Sequence, residues 1–228
     1  MNRFSRAMLI ALPTLIVFPA CNTSKTAQGG AIGAGAGAGI GAVIGNQFDG
    51  KNSTVIGAII GAAVGGTTGA LIGRRMDKQA EELRHDLEGA TVTRVGEGIK
   101  ITFDSGLLFA VDQSALTPSA KTTIADLART LQKYEDTEVL IEGHTDADGT
   151  EEHNMELSRE RAHSVERDLL AAGISPSRLS TVGYGETQPV GDNGSVAGKT
   201  VNRRVEVAIY ANQRMKKAAE RGELGSVE

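Results

Sequence analysis

EVLIEGH at residues 138–144, TDADGT at 145–150 and EEHNMELSRERAHSVERDLLAAG at 151–173 form one continuous stretch. The first segment has the length and β-branched apolar core of a buried strand. The second is polar and contains glycine, as a loop should. In the third, Ser158, Ala162, Val165, Leu169 and Ala172 recur at helical spacing, and Gly173 supplies a stop. A strand, a loop and a helix therefore follow one another. Asp146 leaves the strand end in the loop, and Arg161 sits on the helix, four residues after Leu157.

Upstream, Ala90–Val95 and Ile99–Phe103 alternate about Gly96-Glu97-Gly98 and read as a hairpin. Thr117-Pro118 opens a helix, with Thr as N-cap and Pro in the first turn. Its apolar stripe is Ala120, Ile124, Leu127, Leu131 and Tyr134. Downstream, Leu179–Tyr184 and Arg204–Tyr210 read as strands. Alternation of Val205, Val207 and Ile209 puts Arg204 on the opposite face. The order β-α-β-α-β-β predicts an α+β domain, an α/β sandwich with helices on one face of a mixed sheet, over residues 90–211. The charged tail, 212–228, reads as a frayed helix or disorder.

The rest of the chain is of a different kind. Of its 29 glycines, 15 lie between Gly29 and Gly73. Formal charge is −4 over 228 residues, and aromatic content is 4% with no Trp. A basic, base-stacking nucleic-acid surface is therefore excluded. The single Cys excludes an internal disulfide framework and a Cys-based zinc cluster.

Residues 1–20 carry a basic start (MNRFSR), a short apolar core and a small residue, Ala20, directly before Cys21. That is a secretory signal, too short for a comfortable membrane span. With the lone Cys at the cleavage point, it resembles a bacterial lipoprotein signal. The resemblance implies acylation of Cys21, palmitate included, and a polar tether over 21–28. Asn22 is not an acid, which by the same resemblance implies the outer membrane. Removing 1–20 takes away Arg3 and Arg6 and no acid, leaving a net charge of −6.

From Gly33, glycines step by four through Gly37, Gly41 and Gly45. After the polar break Asn46–Ser53 they resume at Gly57, Gly61, Gly65, Gly69 and Gly73. A step of four lines one side of a helix and lets helices approach closely. Each Gly costs a water-exposed helix about 1 kcal/mol relative to Ala, whereas a bilayer nearly forces helix. The pattern predicts a glycine-zipper helical hairpin over 29–75, in a membrane or in the packed face of a homo-oligomer. It resembles the glycine-zipper regions of bacterial outer-membrane lipoproteins. Met76, Ala80, Leu83 and Leu87 then mark an amphipathic spacer helix over 76–89.

Three chemistries compete at the loop after residue 144. His144, Asp146, Asp148, Glu152 and His153 crowd it, yet the spacing fails the calcium-loop pattern and gives no His pair four apart, so no metal is expected. Glu142 and Asp146 could serve as acid and base, but no nucleophile motif or phosphate loop accompanies them, and the chain is not read as an enzyme. Asp146 and Arg161 could simply brace loop to helix, or bind a ligand. A ligand ending in an ammonium and a carboxylate on one carbon needs an acid and a forked cation, and Arg grips a carboxylate in a way Lys cannot.

Gly143-His144-Thr145-Asp146, Gly149, Asn154, Leu157-Ser158, Arg161-Ala162, Gly183-Tyr184-Gly185-Glu186, Pro189 and Asn202-Arg203-Arg204-Val205-Glu206 together resemble the OmpA-like peptidoglycan-binding domain. The resemblance covers Ile99–Ala211. It implies a diaminopimelate-binding site with Asp146 as the acid and Arg161 as the cation. Thr145, Asn154, Asp104 and Arg203 stand beside them, and no cofactor is needed. The implied partners are peptidoglycan and the outer membrane, and the implied role is to tie envelope to wall. An assembly scaffold built by the glycine zipper is the alternative.

Overall fold

The computed structural model describes residues 54–224. The signal, Cys21, the tether, the first glycine run and the polar break lie outside the described residues. Two helices lead, α1 (Thr54–Ala62) and α2 (Gly66–Asp86). The hairpin β1 (Ala90–Val95) and β2 (Gly98–Asp104) follows, then a one-turn α3 (Ser105–Leu108), α4 (Pro118–Lys133) and β3 (Thr137–His144). Next come α5 (Glu151–Ala171), β4 (Leu179–Gly183), α6 (Val196–Asn202), β5 (Arg204–Ala211) and α7 (Gln213–Glu220).

The sheet runs β1-β2-β5-β3-β4. β3 pairs antiparallel with β5 and parallel with β4, so the sheet is mixed, as the sequence predicts. β3 is internal, hydrogen-bonded on both sides. One face is apolar. Ile99, Ile101, Phe103, Val139, Ile141, Val205, Val207 and Ile209 pack there against the stripes of α2, α4, α5 and α7. All are essentially excluded from water, and at about 25 cal/mol per Å² this burial is the main stabilising term.

The predicted start and stop signals act through specific bonds. The Thr117 hydroxyl accepts the Ala120 N–H at 3.1 Å, and Pro118 follows at the first helical position. Thr150 caps α5 by accepting from His153 N–H, and Gly173 turns the chain at φ 91°. Gly143 has no room for a side chain, because a Cβ there would collide with the main chain at Ser158. That contact lets α5 lie directly on β3.

Three elements differ from the sequence reading. The second glycine run is not one apolar helix. It breaks at residues 63–65, where Gly65 and Gly66 take φ of 68° and 62°, and it resumes as α2. The spacer at 76–89 is the continuation of α2, so no boundary falls at residue 75. α1 lies on the second face of the sheet, where Val55 and Ile59 pack against Leu140, Ala208 and Tyr210. The tail also has more structure than its charge suggests: Asn212 caps α7, whose Met215 and Ala219 are buried in the core beside α2. Among the described residues, no helix is long and apolar enough to cross a membrane.

Candidate functional site

The loop after β3 is held from three sides. Asp146 Oδ1 accepts the Asp148 N–H at 3.1 Å, a local turn that orients the carboxylate. Asp146 Oδ2 is paired with Arg203 Nη1. Arg203 also donates to the Thr200 hydroxyl at 3.0 Å, fixing the guanidinium against α6. Lys199 bonds Asp148 at 2.7 Å, and the Ala147 N–H donates to Asn193 Oδ1. Behind this wall stands Asn202, wholly buried. Its Oδ1 accepts the N–H groups of Val190 and Gly191, and its Nδ2 donates to Gly191 O and Asn193 Oδ1. One amide thus satisfies four groups of the loop before α6, and that loop can then steady the one after β3.

Asn154, on the first turns of α5, is nearly buried. Its Nδ2 donates to the main-chain oxygen of Asp146 at 3.2 Å and to Glu186 at 2.7 Å. Its role is to hold the loop. Thr145 N–H donates to Gly185 O, and the Thr145 hydroxyl is buried with no hydrogen-bond partner among the described residues.

Arg161 is 4% exposed. Its Nε donates to Gln113 O at 3.0 Å, and its guanidinium lies 5.2 Å from the centre of the Phe109 ring. Burial lowers its pKa, while the Asp112 and Asp146 carboxylates favour the charged form and Arg203 opposes it. Arg161 is not ion-paired with Asp146. The acid's partner is Arg203, and the Nη groups of Arg161 have no hydrogen bond to any described residue. A buried guanidinium held by one main-chain oxygen and an aromatic face keeps most of its donor capacity.

Asp104 stands apart. Its Oδ1 accepts the Gly106 N–H at 2.7 Å and caps α3, so its observed work is local. Asp146, Arg161, Asn154 and Arg203 are joined through the loop after β3 and its neighbours. Sequence reasoning missed Asn202, Asn193, Lys199, Phe109 and Gln113. Asn202 stood next to Arg203 in the motif and was legible as part of it. Gln113 contributes only a main-chain oxygen and left no signal.

The crowded titratable cluster separates in space. His153 is exposed and bonds Asp112 at 2.7 Å. His144 is fully buried on the second face and stacks on Tyr184 at 5.5 Å. Desolvation, with Arg204 and Lys100 nearby, lowers its pKa to about 3 against the pull of Glu206. Glu142, His144 and Glu206 bring ligand atoms within 4.8 Å of one another. Glu206 already accepts Arg204 at 2.7 Å and Lys100 at 3.2 Å. Glu206 is therefore already engaged by two cations. Glu142 is wholly buried in that group and is not placed to act with Asp146 on a substrate.

A model of the OmpA family matches residues 108–203, which hold every residue of the loop constellation, and a YMGG-like Gly-zipper model matches residues 1–77. The chain is 38% identical over 117 residues to outer membrane porin F of Pseudomonas fluorescens, a match covering 51% of this chain and 35% of the porin. It is 37% identical over 136 residues to the probable lipoprotein YiaD of Escherichia coli (strain K12), covering 59% of this chain and 62% of YiaD. It thus spans about a third of the first of these relatives and under two thirds of the second. Against the peptidoglycan-associated lipoprotein of Mesorhizobium japonicum it is 32% identical over 125 residues, covering 54% of this chain and 74% of that protein.

Two solved structures share the fold. One is a MotB-like protein from Desulfovibrio vulgaris, with TM-score 0.58 and 26% identity, over 63% of this chain and 96% of that one. The other is the cell wall anchor of the T6SS from Pseudomonas aeruginosa, with TM-score 0.53 and 26% identity, over 61% and 99%. By their names these relatives are a porin, two lipoproteins, a MotB-like protein and a cell wall anchor. With the loop after β3, the helix that follows it and the paired arginines before Val205 all in place, the chain belongs to the OmpA family.

Proposed function

We propose that this protein binds peptidoglycan non-covalently and ties the outer membrane to the cell wall. The ligand is the diaminopimelate of the stem peptide, whose side chain ends in an ammonium and a carboxylate. The observation that carries the reading is the state of Arg161: buried, charge-bearing, and with its fork unclaimed by any described carboxylate. It would take the ligand carboxylate through paired N–H bonds. Asp146 would take the ammonium, with its resting partner Arg203 giving way or turning toward the ligand. Asn154 holds the loop that presents Asp146. Thr145 offers a hydroxyl with no partner among the described residues. Asp104 would act from the end of β2, where its carboxylate caps α3.

The printed names of the relatives, a peptidoglycan-associated lipoprotein and a cell wall anchor, support the same class of ligand. Acylated Cys21 would supply the membrane end, with the globular domain in the periplasm. A hydrogen bond to a charged partner contributes about 1.5–3 kcal/mol, so a few such contacts give modest affinity per site. Many sites on one polymer then make the attachment durable while each contact stays reversible.

The test is co-sedimentation with insoluble sacculi. Asp146→Ala and Arg161→Ala are each expected to abolish it while circular dichroism and the melting temperature show a folded domain. Sedimentation unchanged in both variants would overturn the site assignment.

A further inference from the structure

The glycine stripe predicts a membrane hairpin, yet its second half is built into the globular domain. We infer that residues 54–73 are a strap belonging to that domain, and that the Glu97 carboxylate holds the strap in place and out of the bilayer. The partner surface is the second face of the sheet. There Leu140, Ala208 and Tyr210 make an apolar patch beside the charged group of Glu206, and α1 covers it with Val55 and Ile59.

The lock sits at the β1–β2 turn. Glu97 Oε2 accepts the Val64 N–H and Oε1 accepts the Gly65 N–H, each at 2.8 Å. These are main-chain donors at the break between α1 and α2. Gly65 is the N-cap of α2 and has no side chain to fix the chain there, and Glu97, from another element, takes the N–H groups of the cap residue and of the residue before it. The negative charge also lies at the positive end of a 21-residue helix.

The glycines fit this partner. A Cβ on Gly69 would collide with the Glu97 carboxylate, and one on Gly98 would come within 2.7 Å of Ile59 Cγ2. Gly69 therefore keeps open the path by which Glu97 reaches the break, instead of lining a second membrane helix. Arg94 adds a second tie. Its Nε bonds Asp77 at 2.7 Å, and its Nη2 donates to Gly73 O at 3.3 Å. A hydrogen-bonded carboxylate and an ion pair are groups a bilayer would reject, and both face this segment.

The experiment uses the full acylated chain in vesicles of phosphatidylethanolamine and phosphatidylglycerol. The protein has no Trp, and Ile60 is about half exposed, so I60W gives a single reporter on the outer side of α1. The expected result is water-like emission with no quenching by brominated acyl chains. Hydrogen exchange of residues 54–66 in the unsubstituted chain should be slow, and E97A and G69A should each speed it at least tenfold while β3 and β5 stay protected. Quenching of I60W by brominated lipid would overturn the inference. So would exchange unchanged by both E97A and G69A. Sacculus co-sedimentation should be retained in all three variants, which separates this result from the fate of the wall-binding reading.

Discussion

Arg203 and Arg204 are adjacent in the chain and do different work. Arg203, its side chain 40% exposed, reaches Asp146 at the loop after β3. Arg204, 3% exposed, turns under the sheet to Glu206 and also donates to the main-chain oxygens of Asn202 and Gln188. Arg203 caps the end of α6 and Arg204 opens β5, so the two side chains leave from different elements and go to different places. The first pair is wet at one end and can open, and the second is sealed and fully bonded. A site that must release and rebind a charged ligand needs the first kind. A scaffold that must keep that site in shape can use the second.

Breaking the sealed pair should have the largest effect. Glu206→Ala leaves Arg204 and Lys100 without their acid and is expected to cost about 3–5 kcal/mol in chemical denaturation, the penalty for an uncompensated buried charge. A loss below about 1 kcal/mol would show that this group is not the brace we describe.

Acid should come next, acting on the same sealed region. His144 has a folded pKa of about 3 against an ordinary 6.5, so the unfolded chain binds the extra proton between those values. Stability should be highest above pH 6.5 and fall as pH drops toward 3, by on the order of a few kcal/mol. His144→Gln should flatten that part of the pH–stability curve measured by urea denaturation. Glu142, Glu206, Lys100 and Arg204 surround the ring and would set any slope that remains.

At the open end the effects move from stability to binding. Arg161→Lys keeps the charge and loses the fork, so sacculus binding is expected to weaken about tenfold, roughly 1.4 kcal/mol, with little change in melting temperature. Arg203→Ala should have the smallest effect on the fold, below about 1 kcal/mol, as for other partly exposed pairs. If Arg203→Ala destabilised as much as Glu206→Ala, the contrast between the two arginines would fail.

Much of this was legible in the residues. Thr117-Pro118, Gly173 and the alternation of Val205, Val207 and Ile209 marked starts, stops and faces, and the structure uses each through the expected physics. The ordered string from Gly143 to Glu206 pointed to the loop and to both arginines. What was not legible depended on distant partners. An apolar, glycine-rich segment suits a bilayer and the face of a sheet equally well, and distant partners separate the two, Glu97 33 residues beyond Val64 and Arg94 21 residues beyond Gly73. Met215 and Ala219 make a single helical step in a charged tail, too short for a pattern, yet the surface of α2 receives them. Arg161 lies on Phe109 and Gln113, 48 residues before it in the latter case, and no local spacing encodes that contact.

The internal position of β3 has a mechanical consequence. The loop that carries Asp146 begins where β3 ends, and β3 is bonded along its length to β5 on one side and β4 on the other. A pull delivered along the strand through that loop would load both ladders at once, in shear, so many hydrogen bonds would resist together instead of peeling one by one. A tether under tension between two moving layers is best fixed to an inner strand.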